Sequence, residues 1–178
     1  MGTSKEEAQW VLRAQCGDRE ALESLLRRIQ PSLQRYLRGV VGMFHADDVV
    51  QDVLVIIARK IAWLEEPMVI RAWAFRIASR EAFRHLKKRR RQEHALGDVD
   101  LEGLPAPVDR PSADLLSELH TMDGISPASR AVLVLHFQEE MSLPEVAAIL
   151  EIPLGTAKSR LAYGLAGIRK ELAKRGDM

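Results

Sequence analysis

A chain of 178 residues, 47% hydrophobic and 29% charged, has room for one ordinary domain or two small ones. Its net charge of +1 is the sum of blocks of opposite sign. Between Arg71 and Arg91 nine bases face Glu81 alone, and from Glu93 to Asp123 eight acids face Arg110 alone. The chain turns basic again from Lys158 to Arg175. Such alternation points to two polyanion-binding surfaces joined by an acidic connector. Cys16 is the single cysteine, which excludes an intramolecular disulfide and a cysteine-based zinc site; it is expected to be buried in the first helix. His45, His85, His94, His120 and His136 are scattered without ligand spacing, so no metal is expected. No apolar run approaches the ~20 residues of a membrane span, and Met1 to Trp10 lacks a signal-peptide core. These features lead us to expect a soluble, cytoplasmic protein without membrane insertion.

In chain order, helical signals dominate and period-2 runs are missing, so the expected class is all-α. Ser4 and Glu7 form a capping box for a helix through Gln15. Asp18 caps a second helix carrying Leu22, Leu25, Leu26, Ile29, Leu33, Tyr36 and Leu37, which the stretch Gly39 to Gly42 is expected to end. Asp47 and Asp48 open a third helix with Val49, Val50, Val53, Leu54, Ile57 and Ile61 inward. A fourth helix runs from about Val69 to Arg91, with Ile70, Trp73, Ala74, Ile77, Ala78 and Leu86 inward. Periodicity is lost from Gln92 to Ser112, where Gly and Pro sit among acids, and this reads as a flexible linker. Helices follow over Asp114–Met122 and from Ser126-Pro127 to Glu139.

The last segment is a helix-turn-helix. Ser142 and Glu145 form a second capping box, and Leu143, Val146, Ala147 and Leu150 make one apolar face. Glu151-Ile152-Pro153 breaks the helix, because the residue before a proline is pushed out of the α region. A final helix begins at Leu154 with Ala157, Leu161, Leu165 and Ile168 inside. Gly155, Thr156, Lys158, Ser159 and Arg160 face solvent. Short polar and basic side chains on such a helix suit a major groove. The expected architecture is two small helical domains, 1–91 and 113–178, joined by the acidic linker 92–112.

Three groups of side chains carry function. Asp47, Asp48, Gln51 and Asp52 share the outer face of the third helix, as a solvated face or as a polar docking face. Arg76, Arg80, Arg84 and Lys87 form a positive stripe on the fourth helix, which favours contact with nucleic acid. Thr156, Ser159, Arg160 and Tyr163 share one face of the last helix; taken alone, this unit also fits a repressor. No Gly-rich phosphate loop, nucleophile-base pair or paired carboxylates can be read, so neither a catalytic residue nor a cofactor is expected.

Three segments taken together resemble one family: His45-Ala46-Asp47-Asp48-Val49-Val50-Gln51-Asp52-Val53, then Arg71-Ala72-Trp73-Ala74-Phe75-Arg76-Ile77-Ala78, then Ile152-Pro153-Leu154-Gly155-Thr156-Ala157-Lys158-Ser159-Arg160-Leu161. The chain resembles a bacterial RNA polymerase sigma factor of the extracytoplasmic-function (group four, sigma-70 family) type. That resemblance implies a factor that binds core RNA polymerase and directs initiation at promoters. Asp47, Asp48, Gln51, Asp52 and Val55 would dock on the clamp of the largest subunit. Trp63, Leu64, Arg71, Arg76, Arg80, Arg84, Lys87 and Lys88 would open the −10 element and hold the melted non-template strand. Gly155, Thr156, Lys158, Ser159, Arg160 and Tyr163 would read the −35 duplex, with the same domain meeting the second-largest subunit. An anti-sigma partner is implied as well, and the acidic tether Asp98 to Asp109 would thread toward the polymerase cleft.

Overall fold

A computed structural model describes residues 4–92, 111, 116, 118–122 and 124–176. Among the described residues all regular structure is helical. Most of the linker, and with it the tether Asp98 to Asp109, lies outside them.

The amino-terminal unit holds four helices. In α1 (Lys5–Gln15) the Ser4 hydroxyl accepts from the Glu7 amide at 3.1 Å, and the Glu7 carboxylate accepts from the Ser4 amide at 3.0 Å. α2 (Arg19–Val41) starts on Asp18, whose carboxylate accepts from Ala21 N–H at 3.0 Å. It runs to Val41 and ends at Gly42, whose φ of 90° is easy only for glycine. Gly39 has another reason to be glycine: a Cβ there would lie 2.7 Å from Val134 Cγ2 of the carboxy-terminal unit. α3 (Met43–Lys60) begins directly after Gly42, a turn earlier than Asp47 would place it. One-turn 3₁₀ segments at Ile61–Trp63 and Pro67–Val69 lead into α4 (Ile70–Gln92).

The apolar stripes of these helices meet in a core that includes Val11, Leu25, Leu33, Leu37, Val53, Ile57, Ile70 and Ala78. At its centre the Tyr36 ring stands edge-on to Phe75, with centroids 5.6 Å apart. Ser79 Oγ donates to the Phe75 carbonyl at 2.8 Å and lies 2.7 Å from the Tyr36 hydroxyl, which therefore donates to it. This keeps two buried hydroxyls satisfied. Cys16 is not in this core. It caps the end of α1 and is exposed, because the helix closes there and turns through Gly17.

In the carboxy-terminal unit Leu116, Leu119 and Met122 are buried, and Leu119–Thr121 form a single 3₁₀ turn. The helix expected over Asp114–Met122 does not reach Met122: Glu118 is in a turn and Met122 is not helical, while Asp114, Leu115 and Ser117 lie outside the described residues. α5 (Pro127–Leu133) starts on the Ser126 cap and widens into a π turn at Val134–Gln138. α6 (Leu143–Leu150) opens on the Ser142–Glu145 box and ends at Glu151 in the left-handed conformation, φ 55°. α7 (Leu154–Gly176) follows, with Ala157, Leu165 and Ile168 buried against α5 and α6.

The two units are not independent in space. α2 packs on α5, α4 packs on α6, and the buried residues of both units join in one continuous apolar cluster. The flexible linker had suggested domains not fixed relative to one another; the interface between them could not be read from either unit alone.

The capping box of α6 gives a first expected result. Ser142→Ala removes the acceptor for Glu145 N–H and should cost about 1 kcal/mol. Thermal unfolding should then shift down by roughly 2–4 °C. An unchanged transition would mean the cap contributes nothing to the fold.

Candidate nucleic-acid interface

Helical period sets which side of α4 each base occupies. Arg76, Arg80, Arg84 and Lys87 fall on one side, with Arg80, Arg84 and Lys87 exposed and Arg76 half-buried. Lys88 is exposed beside them. Arg84 pairs with Glu81. Arg80 makes two hydrogen bonds to Glu151, at 3.2 and 2.5 Å, across the unit boundary. Arg76 Nη2 lies 3.5 Å from the Ala148 carbonyl, and its Nε is buried without a hydrogen-bond partner among the described residues.

Arg71 does not belong to this surface. Five residues before Arg76 is about 140° round the helix at 100° per residue, which turns Arg71 into the core. It is 8% exposed and grips the Glu7 carboxylate at 3.0 and 2.6 Å. Arg28 lies 3.5 Å from the same carboxylate. Burial pushes the Glu7 carboxyl up. The hydrogen bonds from Arg71 and the Ser4 amide, with the charges of Arg71 and Arg28, outweigh it and hold the group below its ordinary range. Arg71 is thus a structural cation that fastens α1 to α4.

The loop before α4 divides in the same way. Trp63 is 75% exposed, whereas Leu64 is 6% exposed and serves as the loop's anchor in the core. A residue the sequence did not single out fixes this shape: Gln15 Nε2 donates to the carbonyls of Ile61 at 2.9 Å and Leu64 at 2.7 Å. Met68 and Val69 are also exposed, so the loop presents an apolar platform beside the cationic stripe. Exposed apolar residues off any inner face were the available signal.

On α3, Asp47, Asp48, Gln51 and Asp52 are all exposed, and Val55 lies beside them, 47% exposed. Gln34 Nε2 donates to Asp47 at 2.8 Å, and Arg38 stands 3.7 Å from it. Met43 and Phe44, missed as surface residues, project at the start of the helix; Phe44 is 94% exposed. His45 and His85, far apart in sequence, bring their rings within 4.9 Å where α3 meets α4. Burial, then the neighbouring charges of His45, Arg89 and Lys88, push His85 below its ordinary value, with Asp48 opposing them. No group of three potential ligands for a metal occurs among the described residues.

On α7, Gly155, Lys158, Ser159 and Tyr163 are exposed, and Thr156 and Arg160 are half-buried. Ser159 Oγ donates to the Gly155 carbonyl at 2.9 Å, holding that hydroxyl along the helix. These residues lie in the first three turns of a helix entered from a tight turn, four of them exposed and two half-buried.

Comparison with known proteins fixes the class. The sigma-70 region 2 pattern matches residues 25–92, and the sigma-70 region 4 pattern matches residues 121–170. The chain is similar to the RNA polymerase sigma-H factor of Pseudomonas aeruginosa, 27% identical over 97% of this chain and 96% of that one. It is also similar to the sigma-E factor of Escherichia coli K12, described as an ECF RNA polymerase sigma factor, 26% identical over 85% and 86%. Among solved structures, the sigma factor RpoE of Bartonella quintana, in complex with the anti-sigma factor NepR, matches with a TM-score of 0.67 and 25% identity. That match covers 85% of this chain and 96% of the other. CnrH in complex with the cytosolic domain of CnrY shares the fold, with a TM-score of 0.70 and 23% identity over 96% and 99% of the chains. The protein belongs to the sigma-70 family, as a sigma factor of the extracytoplasmic-function type. No helix among the described residues is long and apolar enough to cross a membrane.

Proposed function

We propose that the unit spanning residues 1–91 binds core RNA polymerase and melts the −10 element, and that the unit from 113 onward reads the −35 element. Asp47, Asp48, Gln51, Asp52 and Val55 dock on the clamp of the largest subunit, where acids supply register and on-rate and Val55 supplies apolar contact. Trp63 offers a stacking surface for a melted base, and Arg76, Arg80, Arg84, Lys87 and Lys88 hold the strand's phosphates. Gly155, Thr156, Lys158, Ser159, Arg160 and Tyr163 enter the −35 major groove, and the same unit meets the second-largest subunit. Residues 92–112 join the two units as an acidic linker.

The observation that carries this reading is the exposure of a tryptophan in the loop that leads into a cationic helix, together with an exposed acidic face on α3. The protein performs no chemistry of its own and acts in the cytoplasm, where polymerase and promoter are. Because two structural relatives were solved with an anti-sigma factor or a cytosolic protein domain bound, we also assign this chain an anti-sigma partner.

The test is transcription in vitro from a mapped promoter with purified core polymerase. Added chain should produce defined starts, and core alone none. Tight binding of duplex DNA by the chain alone, with no start on any promoter when core is present, would return it to the repressor class.

A further inference from the structure

Gly42 turns the chain at φ 90°, and α3 begins on the next residue. The Ala46 amide donates to the Gly42 carbonyl at 3.1 Å, so Phe44 already sits in the first helical turn and not in a loop. The buried residues of α3, Ala46, Val49, Val50, Val53 and Ile57, gather on one side of the helix. At about 100° per residue, the line opposite them runs through Phe44, Asp48, Gln51 and Val55. This outermost line is apolar at both ends and polar between. Phe44 is 94% exposed and Val55 47% exposed, and Asp48 and Gln51 are exposed between them. Met43, 57% exposed, adds apolar area beside Phe44. A surface apolar residue standing singly needs no partner. Phe44 is different on two counts. An aromatic ring is among the largest apolar surfaces a side chain can bury, yet here nearly all of it stays in water. It also stands on the same line as the acids.

We propose that Phe44 is the apolar anchor of the polymerase-docking face: with Val55 it brackets Asp48 and Gln51, and its ring seats in an apolar recess of the largest subunit beyond the reach of the acids. This rests on the assignment of the α3 acids given under Proposed function, and it extends that face one turn toward the amino end of the helix. The step from Phe44 to Val55 spans about 16 Å of helix. The facing surface therefore has two apolar seats at that separation, with cations between them. The charges select the partner. Asp48 and Asp52 call for cations, which a second copy of this acidic face does not offer. The two kinds of residue divide the work. Exposed acids set how fast the surfaces meet, and a ring desolvated on docking sets how long they stay together. Because Gly42 fixes the start of α3, the backbone that carries the ring is ordered before polymerase arrives.

The experiment measures association and dissociation rates of the full chain with purified core polymerase at several salt concentrations. Phe44→Ala should weaken binding about tenfold, the scale of an aromatic anchor. The loss should come through faster dissociation and leave the salt dependence unchanged. Phe44→Leu should recover most of it. Thermal unfolding of Phe44→Ala should match wild type, because the ring is almost wholly exposed. Asp48→Arg with Asp52→Arg tests the face itself and should slow association most at low salt. If the acid reversal loses core while Phe44→Ala keeps wild-type rates, the anchor is overturned and the docking face stands. If neither variant changes the rates, the docking face falls and the anchor with it. Unchanged core binding by a Phe44→Ala chain that has lost self-association in sedimentation would give the ring to a second copy and end the proposal. A lowered unfolding temperature in Phe44→Ala, with Phe44→Leu equally impaired in binding, would make Phe44 a folding residue and end it too.

Discussion

Reversing the charge of both Arg80 and Arg84 to glutamate is expected to abolish promoter opening while leaving polymerase binding intact. Both side chains are exposed on the stripe of α4, on the side away from its buried residues Ala78 and Ala82. Their present partners, Glu151 and Glu81, are solvent-exposed or local carboxylates whose loss costs little stability. The α3 acids proposed to dock on polymerase lie on a different helix and keep their surroundings. Turning two phosphate-binding cations into anions should weaken strand affinity by about a hundredfold and flatten its salt dependence by about two units of slope. Permanganate reactivity of the −10 region reports opening, and co-elution with core reports docking. Normal open complexes from the double variant would remove α4 from the strand-binding surface. The variant also repels Glu151, so failure to melt would occur in a chain that has lost the Arg80 contact between its units.

The second large effect concerns Arg71 and is one of stability. Arg71→Ala leaves the Glu7 carboxylate buried without its main partner and should cost about 3–5 kcal/mol. Replacing the pair together, Glu7→Leu with Arg71→Met, should recover most of that loss, because neither charge is then stranded. The sign of the pH dependence follows from Glu7. Its folded carboxyl titrates below the ordinary range, so its contribution is complete above the unfolded value of about 4.3 and is lost as pH falls through the folded value. Urea midpoints of the wild type should therefore fall on acidification in that window, and those of the double replacement should fall less. If Arg71→Ala unfolds within about 0.5 kcal/mol of the wild type but loses strand affinity, the arginine is a DNA contact after all.

What could be read from sequence was local. The caps at Ser4, Asp18, Ser126 and Ser142 bind amides three residues on, so residue identity and spacing suffice. Inner faces followed from period alone, and Val53, Ile57, Ile70, Ala74 and Ala157 are buried as expected. What escaped depends on partners distant in the chain. Arg71 entered the −10 set through the family resemblance, whereas its partner Glu7 lies 64 residues away and is invisible to local pattern. The packing role of Gly39 left no local signal, because Val134, which requires it, belongs to the other unit. Leu64 was assigned to the DNA surface with its neighbour, although adjacent residues in a loop commonly face opposite ways. His45 and His85 had no spacing to connect them, yet two packed helices bring their rings together.

Gln15 has a consequence for how the promoter is discriminated. By holding the carbonyls of Ile61 and Leu64 at once, one amide at the end of α1 sets the loop geometry before any DNA arrives. On the proposed role of this loop, a melted base would meet a backbone already tied at two carbonyls, which lowers the ordering the protein must supply and gives fit more weight in which base is accepted. Promoter preference could accordingly drift through changes in the first helix, at positions that never touch nucleic acid.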